Sequence, residues 1–149
     1  MGAIKEANED TNRIKNIEYA LVITTLFVIL IILTPSLIKL IDATMYNSAK
    51  LNTEGSIQTA KDIYTSINLT DELGLPFTIK YINGKYSLYE NGEKYTPLKS
   101  VKIEVKGKQA SSGKIIINTD GQVEVKNLKF GLYVCNQKPS QTLDCKFKW

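Results

Sequence analysis

The chain has 149 residues, of which 43% are hydrophobic and 23% are charged, and it carries a formal net charge of +4 with no histidine. This length admits one ordinary domain. Without histidine, a serine nucleophile would need a lysine or carboxylate base, and no motif around any serine supplies one. The sequence therefore gives no support for an enzyme, and it indicates no cofactor.

The first part of the chain predicts a polar arm followed by a membrane-type helix. Residues 1–12 are polar and predict a cytoplasmic arm, and a helical pattern begins near Arg13. The twenty residues Tyr19–Ile38 contain no charge. At about 1.5 Å per residue, a helix of this length covers the ~30 Å hydrocarbon layer of a bilayer. We therefore predict a transmembrane and assembly helix over residues 13–41.

The basic residues that flank the span predict its orientation. Lys5, Arg13 and Lys15 precede the span, and fewer basic residues follow it closely. Cytoplasmic flanks carry the excess of lysine and arginine. We therefore expect a protein that crosses the cell membrane once, with a cytoplasmic N-terminus and an extracellular head over residues 42–149.

Beyond Asp42 the helical pattern becomes amphipathic. Apolar residues recur along one stripe, at Ile57, Ala60, Ile63, Tyr64 and Ile67. The helix is predicted to end near Asn68–Thr70, before Gly74 and Pro76. Gly55 is expected to weaken the helix by about 1 kcal/mol relative to alanine and to mark a bend.

After Pro76 the pattern alternates with a period of two residues, which predicts strands. The strongest signal is Asn83-Gly84 between Phe77–Ile82 and Lys85–Glu90, because both turn residues tolerate a positive φ. Further short strands are predicted at Lys94–Thr96, Val101–Lys106, Lys114–Asn118, and Val123–Lys126 running on to Phe130–Cys135. The expected fold class is α+β, with the helix stripe packed on one face of about four to six antiparallel strands.

Two cysteines, Cys135 and Cys145, lie close together, with nine residues between them. A disulfide that closes so short a loop stabilises a fold by about 2–3 kcal/mol. The alternatives are two free buried thiols or a metal pair, and the lack of histidine and of further cysteines argues against a metal. We expect the disulfide if the head lies outside the cytoplasm.

Lysines alternate with apolar residues on the predicted strands and give the head its positive charge. Such lysines usually form a solvated face, and they also prevent strand edges from pairing with other chains. A surface that binds nucleic acid or phosphate is the alternative, although no arginine follows Arg13.

Two stretches of the chain carry a family resemblance. Residues 17–42, IEYALVITTLFVILIILTPSLIKLID, place a proline, Pro35, seventeen residues after a glutamate, Glu18. Residues 97–135 contain EVKG and SSG followed by an Asp-Gly turn. Both stretches resemble type IV pilins and pseudopilins, especially the short ones of low-GC Gram-positive bacteria. In that family the glutamate lies five residues after a cleavage position, and the second stretch belongs to the sheet.

The resemblance implies a pilin-like fold and a structural, non-enzymatic role. The chain would be a minor pilin or pseudopilin of a type IV pilus or a type II secretion-like filament. Its partners would be copies of itself or other pilins through the apolar helix, the membrane, and a prepilin peptidase. Glu18 would set the axial register by pairing with a neighbour's N-terminal amine; otherwise it lies at the headgroup boundary beside Lys15 or Arg13. Pro35 would kink the helix.

The candidate processing site is the bond between Arg13 and Ile14. The family has glycine where this chain has Arg13, so the site is degenerate and an unprocessed chain is the alternative. Two other functions stay open. One is a DNA-uptake pilin that binds nucleic acid through its lysine-rich head, and the other is a non-assembling single-pass anchor for an extracellular domain.

Overall fold

The computed structural model describes residues 2–69, 73–97 and 104–148, with side chains from Glu9 onward. Within them the elements are one helix and seven strands, which are α1 (Gly2–Asn68), β1 (Phe77–Ile82), β2 (Lys85–Glu90), β3 (Glu93–Tyr95), β4 (Ser112–Ile117), β5 (Val123–Phe130), β6 (Tyr133–Gln137) and β7 (Asp144–Phe147). This order confirms an α+β layout with a long N-terminal helix and an antiparallel sheet.

The chain divides into two compact units, of which the first ends at Asp42 and the second begins at Ala43. The first unit is helical from Gly2, so the helix begins well before Arg13, where we predicted its start. Residues 2–12 include two alanines, two glutamates and a lysine and contain no proline, which is compatible with a helix although the segment is polar. Pro35 lies inside α1, which continues through it.

In the second unit the strands form one sheet in the order β3-β2-β1-β4-β5-β6-β7, and every neighbouring pair is antiparallel. The predicted hairpin is confirmed: β1 and β2 pair from Phe77↔Glu90 to Ile82↔Lys85, and Asn83 and Gly84 both have positive φ. The predicted strand Phe130–Cys135 is not continuous: Gly131, with a φ of 59°, opens a turn between β5, which ends at Phe130, and β6, which begins at Tyr133.

The core of the head lies between the sheet and the last third of α1. Ala60, Ile63 and Ile67 are fully buried, and Ile57 and Tyr64 pack against them partly buried, so the predicted stripe is confirmed. The sheet contributes its inward-facing residues, among them Phe77, Ile79, Ile115, Val125 and Leu128. The helix ends at Asn68, within the predicted range.

The segment 104–110 lies against α1 instead of forming a strand. The Lys106 N–H donates to Thr59 Oγ1 at 3.1 Å, and the Lys108 N–H donates to Asn52 Oδ1 at 2.9 Å. The strand predicted over Val101–Lys106 is therefore wrong for residues 104–106, since their backbone bonds to helix side chains; residues 101–103 lie outside the described part of the chain.

The same segment explains Gly55, which lies inside the continuous helix α1. A Cβ at Gly55 would lie 2.7 Å from the carbonyl oxygen of Lys106. Glycine therefore lets the backbone of the segment 104–110 approach the helix closely. The bend at Gly55 stays a prediction, and the close approach of Lys106 is a contact between residues distant in sequence that sequence reasoning missed.

Candidate functional site

The apolar part of α1 is exposed on every face. Each side chain from Glu9 to Ser48 is exposed, and none of the most apolar stretch is buried within the described residues. The helix is long and apolar enough to cross a membrane. A helix that is apolar all round requires an apolar environment, which is either lipid or other apolar helices.

Glu18 lies at the N-terminal boundary of this apolar stretch and is exposed. Lys15 is three residues earlier and therefore shares its helix face. The ion pairs found among the described residues join Lys106 to Asp62, Lys126 to Glu124, and Lys146 to Asp144. The structure thus places the Glu18 carboxylate where a cationic group of another chain could approach it.

The other residues singled out in α1 also lie within the helix. Arg13 and Ile14 are exposed, and the bond between them is part of the continuous helix. Pro35 removes one backbone donor from the helix, and the preceding Thr34 hydroxyl donates to the carbonyl of Leu30. Thr24 donates in the same way to the carbonyl of Ala20 at 2.7 Å. These hydroxyls satisfy their hydrogen bonds within the helix and need no water.

On the outer face of the sheet, three lysines stand in one row, called the lysine row below. Lys80 of β1 lies opposite Lys114 of β4, which lies opposite Lys126 of β5. All three are exposed. Like charges placed directly opposite each other destabilise a sheet. Glu124 compensates for part of this charge, since its Oε1 lies 3.1 Å from Lys126 Nζ.

The lysine row borders a shallow groove of about 560 Å³, which Ser112 and Asn127 also line. Ammonium, hydroxyl and carboxamide groups are suitable donors to phosphate oxygens. Tyr81, next to Lys80, points instead into the core, where burial raises the pKa of its phenol and a hydrogen bond to Ser56 partly opposes this. Its hydroxyl therefore stays neutral.

A β-bulge lies beside this groove, where the regular register that aligns Lys114 with Lys126 ends. The register of β4 and β5 shifts between Ser112 and Lys114, and Gly113 has a φ of 108°. Sequence reasoning missed this bulge. The signal was Gly113, the isolated glycine directly before the predicted strand Lys114–Asn118, because such a glycine often marks a bulge or a close backbone approach.

The predicted disulfide is present and joins Cys135 to Cys145. The two residues lie opposite each other on β6 and β7, and both are buried. The alternative of two free thiols is therefore wrong. The bond fastens β7, an edge strand that sequence reasoning did not predict, to the rest of the sheet.

Comparison with known proteins assigns no family. No family model, curated protein or solved structure matches the chain. The function therefore has to be argued from the exposed apolar helix, Glu18 and the outer face of the sheet.

Proposed function

We propose that this protein is a structural filament subunit, a minor pilin or pseudopilin of a type IV pilus or type II secretion-like system. The observation that carries the proposal is the apolar stretch of α1, exposed on every face, in the same helix that forms the core of the head. The protein is held in the cell membrane with its head outside until other apolar helices replace the lipid.

The magnitudes support assembly through this helix. Burying one large apolar side chain stabilises a protein by about 1.5–3 kcal/mol, so exposing about fifteen of them to water costs on the order of 30 kcal/mol. A domain of ordinary stability contributes only about 5–15 kcal/mol. The helix therefore leaves lipid only when it packs at once against partner helices.

Glu18 gives this packing a register. A carboxylate in an apolar environment costs at least about 2.5 kcal/mol unless it has a partner. A neighbouring subunit that places an amine opposite Glu18 removes this cost at one axial position. Pro35 lacks a helical N–H and allows the helix to adjust locally as subunits pack. An intact-mass measurement shows whether the amine belongs to a chain cut between Arg13 and Ile14.

We expect Glu18→Gln to lower the association of subunits about tenfold or more, because glutamine keeps the size of the side chain and removes the charge. A tenfold loss corresponds to about 1.4 kcal/mol. The measurement uses two differently tagged full-length copies in one membrane, with a photocrosslinking residue at Leu26. The crosslinked fractions of the unmodified chain and of the Glu18→Gln chain are compared at equal expression.

Glu9→Gln is the matched control, since it removes an exposed acid from the same helix outside the apolar stretch, and its crosslinked fraction should equal that of the unmodified chain. Equal crosslinking of Glu18→Gln and the unmodified chain would contradict the register role. If the unmodified chain crosslinks to no copy and no partner, the chain is a non-assembling anchor and the filament proposal is wrong.

The lysine row favours a second function, the binding of nucleic acid by the extracellular head. Three aligned ammonium groups with little compensating acid favour a ligand that carries repeated negative charges. The phosphates of nucleic acid satisfy this requirement, and binding would release condensed counterions. The groove at the row would hold the backbone, without any requirement for a particular base sequence.

We expect the triple change Lys80→Gln, Lys114→Gln and Lys126→Gln to weaken DNA binding about tenfold and to reduce the slope of log affinity against log salt by roughly 2–3. The control triple changes Lys85, Lys94 and Lys138, which are exposed but outside the row. Filter binding of the full-length protein in detergent at several salt concentrations measures the DNA affinity and its salt dependence for both triple variants. Equal losses of DNA affinity in the two triple variants would indicate nonspecific charge attraction. If the unmodified protein bound no DNA at low salt, the lysine row would be only a solvated face and this second function would be wrong.

A further inference from the structure

One end of the head exposes apolar and aromatic side chains together. Tyr46 of α1, Leu132 of the β5–β6 turn and Phe147 of β7 form this surface, called the apolar tip below. Their exposed fractions are 36%, 42% and 42%. Turns that face water usually carry glycine, asparagine or aspartate, as Asn83-Gly84 does in the first hairpin. The leucine at the β5–β6 turn therefore needs an explanation other than turn geometry.

Specific contacts hold these three segments together as one surface. The ring of Tyr133 packs edge-on against Tyr46, with centroids 6.1 Å apart, and against Phe147, with centroids 5.6 Å apart. The Lys148 N–H donates to the carbonyl of Leu132 at 2.8 Å. The apolar tip thus joins the helix, a turn and the strand β7.

The position of Tyr46 in the chain indicates what covers the apolar tip. Tyr46 follows Ile41, the last residue of the predicted membrane helix, by five residues. Even a fully extended chain of that length reaches only about 18 Å. Tyrosine and tryptophan are enriched at membrane–water interfaces, where their rings lie among the lipid headgroups. The head therefore carries its exposed aromatic residues at the end that the chain holds near the bilayer.

We propose that the apolar tip inserts into the headgroup layer of the membrane while the protein is anchored there. Leu132 and Phe147 lie between the lipids, and the ring of Tyr46 lies at the headgroup level. Lys148 and Lys146, both exposed, then face the phosphates, although Lys146 also pairs with Asp144 at 2.9 Å. The inference rests on the membrane span of the proposed function and does not depend on filament assembly.

Fluorescence quenching by brominated lipids tests this insertion in the full-length protein. The single tryptophan, Trp149, is first changed to phenylalanine. Tryptophan is then introduced by Leu132→Trp at the tip, by Thr119→Trp in the turn at the opposite end of β5, and by Phe27→Trp in the span. Each variant is reconstituted into phosphatidylcholine vesicles with a minority of phosphatidylglycerol, with and without bromine on the acyl chains.

We expect strong quenching of Phe27→Trp, and quenching of Leu132→Trp at least twofold greater than that of Thr119→Trp. Quenched Phe27→Trp with unquenched Leu132→Trp would overturn the inference and leave the membrane span intact. Equal quenching of the two turn variants would also overturn it, because the head would then lie on lipid without a preferred end. Unquenched Phe27→Trp would contradict the span itself, and with it both proposals.

Discussion

Gly113→Ala is expected to destabilise the head by about 4 kcal/mol or more, which is most of the stability of a small domain. A Cβ at Gly113 would lie 2.6 Å from the carbonyl carbon of Asn127 and 2.6 Å from the Cα of Leu128. These are backbone atoms of the neighbouring strand, so no side-chain rotation relieves the overlap. The φ of 108° adds strain for any residue with a Cβ.

Gly121→Ala separates the cost of the steric overlap from the cost of the positive φ. Gly121 also has a positive φ, 77°, but a Cβ there meets nothing within 4 Å. We expect this variant to lose only about 1 kcal/mol, from backbone strain alone. The free energy of unfolding of both variants is measured by urea unfolding of the full-length protein in detergent. The near-ultraviolet circular dichroism of the tyrosines monitors the unfolding. Equal losses for the two variants would mean that β4 and β5 do not approach each other at the bulge.

Ile63→Ala is expected to cost about 2–5 kcal/mol, the usual cost of truncating a buried isoleucine. Ile63 has no exposed surface and lies on the helix face that packs against the sheet. Truncation leaves a cavity between the two layers. The same urea experiment gives the free energy of unfolding, and the helical signal of the apolar stretch should not change.

Leu51→Ala is the matched control for this core prediction. Leu51 lies on the same helix, and 68% of its surface is exposed. Its truncation should cost less than about 0.5 kcal/mol. If both variants lost the same stability, the helix would not be packed on the sheet through the face that contains Ile63, and the core of the head would have to be sought elsewhere.

The sequence predicted those parts of the fold that depend on short-range patterns. The stripe that contains Ile63 follows from helical periodicity, and the first hairpin follows from Asn83-Gly84. Contacts between distant residues were not predicted. Residues 104–106 were predicted to belong to a strand because Val101–Lys106 alternates, yet the Lys106 N–H donates to Thr59 on the helix. No pattern within the segment contains that information.

The candidate sites also divide into features that follow from short-range patterns and features that depend on contacts between distant residues. Glu18 and Pro35 could be selected from the sequence because their spacing along one helix is a local property. The lysine-rich face was also predicted, but not the alignment of Lys80, Lys114 and Lys126, which depends on how β1, β4 and β5 pair in the sheet. The apolar tip was missed because Leu132 was assigned to a continuous strand, whereas it lies in a turn.

The packing of α1 within the head has a mechanical consequence. The buried contacts of this helix are distributed along its last third, from Ala49 through Thr53 to Ile67, and backbone N–H groups of the segment 104–110 donate hydrogen bonds to Asn52 and Thr59 beside them. A pulling force applied along the helix loads these contacts in shear, so that they must break together. By comparison, a force that peels an edge strand away from a sheet breaks the contacts of that strand one at a time, which takes a lower force. The head is therefore attached to its helix in a geometry that resists tension along the helix.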